Sequence, residues 1–258
     1  MTRQRHIALT LLLLGILVLQ GRGALDPARA QSGPAPVEQL VETVSKAPAA
    51  QARAAAAERL GLLGTAAEGA VPVLVEVLGW DLAPEVRGRA AEALGRLGAI
   101  TAEVVPALIE AIEANRQLLV RWRAVEALER IGAQTRTADA GLREEIGSAL
   151  IATLQGDPYP GVRARAAEAL GVIHPESAAA VPALIEAFQQ DTHPGVRWQA
   201  AAALEGIAVH YKDDAATEAI ADLKKALAAL AGHPHPEVQR NAEGLRQAIR
   251  QLEARQGS

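Results

Sequence analysis

The sequence predicts an all-α superhelix of about six helix pairs, and three observations carry that prediction. One stretch recurs almost unchanged, as PEVRGRAAEALGRLG from Pro84, PGVRARAAEALGVI from Pro160 and PGVRWQAAAALEGI from Pro194, with a looser copy, LVRWRAVEALERIG, from Leu119. Aligned on Leu60, Leu94, Leu128, Leu170 and Leu204, the copies lie 34, 34, 42 and 34 residues apart, which is room for two helices and their turns in each unit. Within a copy the apolar residues keep a helical period: Val86, Ala90, Leu94 and Leu97 fall at i, i+4, i+8 and i+11, one stripe of a helix.

Before the repeated stretch lies a shorter segment opened by proline, seen as VPVLVEVL from Val71, VPALIEAI from Val105 and VPALIEAF from Val181. Proline suits a first helical turn, where its missing N–H has no acceptor to lose. First helices are expected to begin near Val37, Val71, Val104, Gly141, Ala178 and Ala215, and second helices near Ala50, Pro84, Leu118, Pro160, Pro194 and Pro236. The turns between them carry Gly, Asp and Pro, for example Gly156, Asp157 and Pro158 or Asp191 and Pro194. Eight extra residues around 134–143 and a similar lengthening around 210–221 are expected to form loops or longer first helices, not a second domain. With half its residues apolar but only three Trp, two Tyr and one Phe, the core has to be aliphatic, and small residues let helices approach closely.

Residues 1–30 read as a secretory signal peptide, leaving 31–258 as one repeat domain. Arg3, Arg5 and His6 form a basic start, residues 7–19 are apolar, and Ala28 and Ala30 supply the small residues of a cleavage site. Thirteen apolar residues are too few for a comfortable span, which takes about 20, although a retained N-terminal anchor is the alternative. The expected location is exported, in a periplasm or outside the cell, with no stable membrane insertion after cleavage. Without Arg3, Arg5, Arg22, Arg29 and Asp26 the net charge moves from −4 to −7. An acidic body argues against nucleic acid as a partner. The chain has no cysteine, so disulfides, thiolate metal ligands and cysteine nucleophiles are excluded.

A second register runs six residues ahead of the repeated arginine: Asp81 before Arg87, Asn115 before Arg121, Asp157 before Arg163 and Asp191 before Arg197. An acceptor in the turn and a guanidinium with several donors in a fixed fork can bridge neighbouring repeats. The register stops at Ala47 before Arg53 and at His233 before Gln239, as expected of capping units. Gly61, Gly95 and Gly171 recur late in second helices and read as close-packing or helix-end positions.

The pattern D-x-x-P-x-V-R-x-x-A-A-x-A-L-G, spelled out by residues 81–95, resembles the HEAT-like repeats of phycobilisome lyases. The resemblance covers nearly all of residues 31–258 and implies an α-solenoid with its second helices on the concave side. It implies protein binding of many kinds, with bilin attachment one specialised case.

On the second helices the two positions after the repeated arginine vary, with Gly88, Trp122, Ala164 and Trp198 at the first and Arg89, Arg123, Arg165 and Gln199 at the second. Trp122, Trp198, Arg89, Arg123, Arg165 and Gln199 are therefore the candidate partner-binding residues, since Trp and Arg dominate interface hot spots. Against this, the two rings can lie over alanines and merely seal the stack. Glu92, Glu126 and Glu168 stand three residues beyond the arginines and can neutralise them along the helix. His193, His233 and His235 occupy equivalent turns but lack a metal-ligand spacing and read as polar turn residues. No nucleophile elbow, phosphate loop or isolated carboxylate pair is present, so no catalytic residue, cofactor or metal is expected. The function so implied is an exported, non-enzymatic scaffold holding another protein or peptide on its concave face. The alternative is a non-catalytic lyase-like or chaperone subunit that presents a substrate to an enzyme partner.

Overall fold

The computed structural model describes residues 37–98, 100–135, 139–173, 179–210 and 216–256, so the expected signal peptide lies outside the described residues, as do His6 and His174. The chain divides into Met1–Gln39 and Leu40–Ser258, and the packing described below belongs to the second unit. Its helices are α1 (Val37–Lys46, beginning at the end of the first unit), α2 (Ala50–Leu63), α3 (Val71–Trp80), α4 (Pro84–Leu97), α5 (Val104–Ala114), α6 (Leu118–Gln134), α7 (Ala140–Gly156), α8 (Pro160–Ile173), α9 (Ala180–Gln190), α10 (Pro194–His210), α11 (Ala216–Leu230) and α12 (Pro236–Gln256). No strand occurs among the described residues. Odd and even helices pair as first and second members of six repeats, and the helix starts fall within two residues of those the sequence predicts.

Second helices stack on second helices, α2 on α4, α4 on α6, α6 on α8, α8 on α10 and α10 on α12, while α3, α5, α7, α9 and α11 each pack on the second helix of their own repeat. The recurrent leucine is the reason. Leu60, Leu94, Leu128, Leu170 and Leu204, together with Leu245 of α12, are wholly excluded from solvent. Burying one such side chain stabilises by roughly 1.5–3 kcal/mol.

The recurrent glycine sets the stacking distance. A Cβ on Gly61, Gly95 or Gly171 would stand 2.8, 2.6 or 2.7 Å from the Cα of Ala93, Ala127 or Ala203, one repeat further on. Backbone thus rests on backbone at each 34-residue step. At the two lengthened steps the glycine position holds Glu129 and Glu205 instead, and there α6 on α8 and α10 on α12 share smaller interfaces.

The inserted residues extend helices at both ends of the connection. α6 and α7 run 17 residues each, against 14 in α4 and 11 in α5, so a second helix lengthens as well as a first. Between α2 and α3 a 3-10 segment, Gly64–Ala70, replaces the expected loop, with Gly64 in the left-handed region at φ 57°, where a side chain is disfavoured. Among the described residues the run Ala50–Trp80 is long and apolar enough to cross a membrane. In this fold it is α2, the 3-10 segment and α3, whose Leu60, Ala67 and Leu74 are wholly buried.

Candidate functional site

The turns inside the repeats form one edge of the stack, and an arginine ladder holds that edge. Arg53 donates from Nε and Nη2 to the two carboxylate oxygens of Asp81 at 2.6 and 2.9 Å. Arg121 does the same to Asp157 at 2.7 and 3.2 Å, and Arg163 to Asp191 at 2.7 and 2.9 Å. Each third donor, Nη1, turns back to the carbonyl six residues upstream, from Arg53 to Ala47, from Arg121 to Asn115 and from Arg163 to Asp157. The Asp and Arg paired by sequence register therefore meet through the backbone, and the side-chain bridge runs to the turn of the following repeat. For that reason Arg53, placed by the sequence beyond the end of the register because Ala47 lacks a carboxylate, is the first rung: only the carbonyl of its own turn is required.

Two rungs differ. Arg87 takes the carbonyl of Asp81 and reaches Asn115 Oδ1 at only 3.4 Å, leaving its buried Nε without a partner. Arg197 donates Nη1 to the carbonyls of Asp191 and Thr192 at 2.8 and 3.2 Å, and the next turn offers it His233 instead of a carboxylate. The Arg53 guanidinium, against the opposing effect of burial and with the Ala83 N–H, holds the Asp81 carboxyl below the usual range. Burial pushes Asp191 up, but the hydrogen bonds from Arg163 and the His193 N–H and the nearby positive charges leave it below that range.

The second-helix ridge is largely self-paired. Arg89 meets Glu92 at 3.1 Å and Glu58 of the preceding second helix at 3.6 Å. Arg123 meets Glu126 at 3.0 Å and Glu92 at 3.6 Å, and Arg165 meets Glu168 at 2.6 Å and Glu129 at 3.1 Å. Burial pushes the Glu129 carboxyl up, ahead of the opposing Arg165 charge. Trp122 lies under two of these cations, with the Arg123 and Arg165 guanidinium carbons 4.9 and 6.0 Å from its ring centre. Trp198 is 42% exposed, and Gln199 beside it is half-buried.

Among the described residues, six of the eight large apolar side chains left in solvent lie at or close after the turns inside the repeats, the other two being Leu62 at the end of α2 and Ile100 between α4 and α5. Trp80 (83% exposed) and Leu82 (94%) flank Asp81, Leu118 and Leu119 open α6, Tyr159 sits in the α7–α8 turn under the Arg121 guanidinium, and Trp198 follows in the first turn of α10. Sequence reasoning missed Trp80. A signal existed, since the equivalent residues before the other turns are Lys46, Ala114, Gly156 and Gln190, all small or polar. Among the histidines, the Nδ1 atoms of His193 and His233 accept N–H groups of Gly195 and His235, each at 3.2 Å. Among the described residues no three metal-ligating side chains converge.

Two-helix repeats with a leucine core, a glycine contact and an arginine ladder define an α-solenoid of the armadillo/HEAT type. HEAT repeats match residues 37–129 and 147–229; the chain belongs to the HEAT-repeat family. No curated protein matches it. Among solved structures it is similar to a designed armadillo repeat protein in complex with the peptide (KR)4, with TM-score 0.63 and 22% identity over 83% of this chain and 99% of that one. It is also similar to an engineered protein, with TM-score 0.58 and 22% identity over 84% of this chain and 97% of that one. Kap121p bound to Nup53p gives TM-score 0.55 and 18% identity over 83% of this chain, which spans a quarter of that one.

Proposed function

We propose that this chain is an exported, non-enzymatic scaffold that docks a partner protein or peptide across its second helices, on the concave side, with the turn edge as one margin of the contact. The observation that carries the reading is the row Trp80, Leu82, Leu118, Leu119, Tyr159 and Trp198, large apolar side chains exposed in successive repeats. Large apolar side chains left in solvent beyond isolated ones are characteristic of interaction surfaces. The paired ridge of Arg89, Arg123 and Arg165 supplies mixed charge beside it, which selects partners more than it adds affinity. Solved neighbours of the same fold are held with a peptide or a protein, (KR)4 and Nup53p. A stack fixed by backbone contacts loses little freedom on docking. The narrower likeness to phycobilisome-lyase repeats rests on the sequence pattern alone and leaves a substrate-presenting subunit as the alternative use of the same surface.

The test is affinity capture from the exported fraction with residues 31–258 as bait, beside a variant carrying Trp80→Ser and Trp198→Ser. A partner retained by the native bait and lost from the variant, with helical circular dichroism unchanged, supports docking at this edge. Equal capture by both refutes it. N-terminal sequencing of the exported protein checks cleavage after Ala30.

A further inference from the structure

The ladder that staples the turn edge ends one rung short, and the gap opens into a groove. Arg53, Arg121 and Arg163 each spend Nε and Nη2 on an Asp carboxylate of the following turn. At the fifth rung the following turn presents His233. This histidine takes over the other two duties of the aspartate: its carbonyl accepts from Gln239, six residues on, at 3.1 Å, and its Nδ1 accepts the N–H two residues on at 3.2 Å, as Asp81 Oδ1 does for Ala83. It has no carboxylate to give to Arg197, whose hydrogen bonds among the described residues are the two from Nη1.

The open side of Arg197 lines a groove of about 640 Å³ between the start of α10 and the turn before α12, together with Trp198, His233, Pro234, His235 and Pro236. No lining residue is acidic. A guanidinium fork favours a planar carboxylate held by two parallel hydrogen bonds, and the chain shows that geometry three times with its own aspartates. Trp198 beside it offers a flat apolar face at low entropic cost.

We propose that this groove binds an Asp or Glu side chain of an extended partner segment, whose carboxylate completes the fifth rung on Arg197 while its neighbouring residue rests on Trp198. The proposal rests on the protein-binding reading above and gives the partner its chemistry.

The probes are two blocked tripeptides, acetyl-Trp-Asp-Gly-amide and its Asn counterpart, titrated into residues 31–258 while the Arg197 Nε–Hε resonance is followed by NMR. The Asp peptide is expected to shift that resonance saturably and to bind at least tenfold more tightly than the Asn peptide. His233→Asp supplies the missing carboxylate from within, so it should raise Tm and weaken the Asp peptide at least tenfold. Arg197→Gln keeps the backbone bond, as Gln239 does in its own repeat, and should abolish the preference for Asp over Asn. Equal binding of the two peptides, or a His233→Asp variant that binds the Asp peptide as the native chain does, overturns the site. If the native chain still captures its protein partner while showing no preference for Asp, the site falls and the scaffold reading stands.

Discussion

Gly95 lies against Ala127 with no room for a methyl group, since a Cβ on the glycine would stand 2.6 Å from the Ala127 Cα. Alanine is the better helix former by about 1 kcal/mol, yet overpacking between two backbones typically costs about 1–3 kcal/mol. Gly95→Ala is therefore expected to destabilise, by up to about 2 kcal/mol in urea unfolding. Gly79, exposed near the end of α3 with nothing within 4 Å of its would-be Cβ, is the control: Gly79→Ala should stabilise by about 0.5–1 kcal/mol.

The ladder rungs differ in burial, and their mutants should differ accordingly. Both side chains of the Arg121–Asp157 pair are almost fully enclosed, so Asp157→Ala strands a guanidinium and should cost about 3–5 kcal/mol. Asn115→Asp works in the opposite direction, since it offers a second charged oxygen to the unpartnered Arg87 Nε. A gain of about 1 kcal/mol is expected, read as a higher urea midpoint at unchanged slope.

Acid titration separates two sets of carboxylates. Asp81 and Asp191 are held below their ordinary range, so their contribution is complete above the unfolded-state pKa, about 4, and is lost as pH falls through the lower folded values. Glu129 is raised by burial, so the stability linked to its proton is complete below about pH 4 and is lost as pH rises through the folded value. Glu129→Gln should therefore raise Tm at pH 7 and show no difference at pH 3, whereas Asp191→Asn should lower Tm most at pH 7. Thermal melts of the three proteins from pH 3 to 8 check both signs.

The two tryptophans singled out by their shared register should also part company. Trp122 is roofed by Arg123 and Arg165, so Trp122→Ala removes packing and cation–π contact and should destabilise by about 1–2 kcal/mol. Trp198 is 42% exposed and has no cation over its ring among the described residues, and Trp198→Ala should cost less stability than Trp122→Ala, about 0.5–1 kcal/mol, while reducing partner capture. Differential scanning calorimetry of each variant, run beside the capture assay, tests the split.

Repetition made the architecture legible. Leu60, Leu94, Leu128, Leu170 and Leu204 mark the buried seam because a helix that must face a neighbour on every repeat keeps the same residue at the same phase, and Pro84, Pro160, Pro194 and Pro236 mark helix starts because proline loses nothing there. The direction of the ladder was not legible, since the spacing of Asp81 and Arg87 is compatible with either a contact inside one repeat or a bridge to the next. Only the stacking of α2 on α4 brings Arg53 to Asp81 and turns Arg87 to a backbone carbonyl. Likewise the difference between Trp122 and Trp198, alike in register, arises partly from the next residue, Arg123 against Gln199, and partly from Arg165, which the following repeat places over the Trp122 ring. Local chemistry fixes helices and their buried stripes; what a side chain meets across a repeat boundary depends on the packing of two helices distant in sequence, and that is decided only in three dimensions.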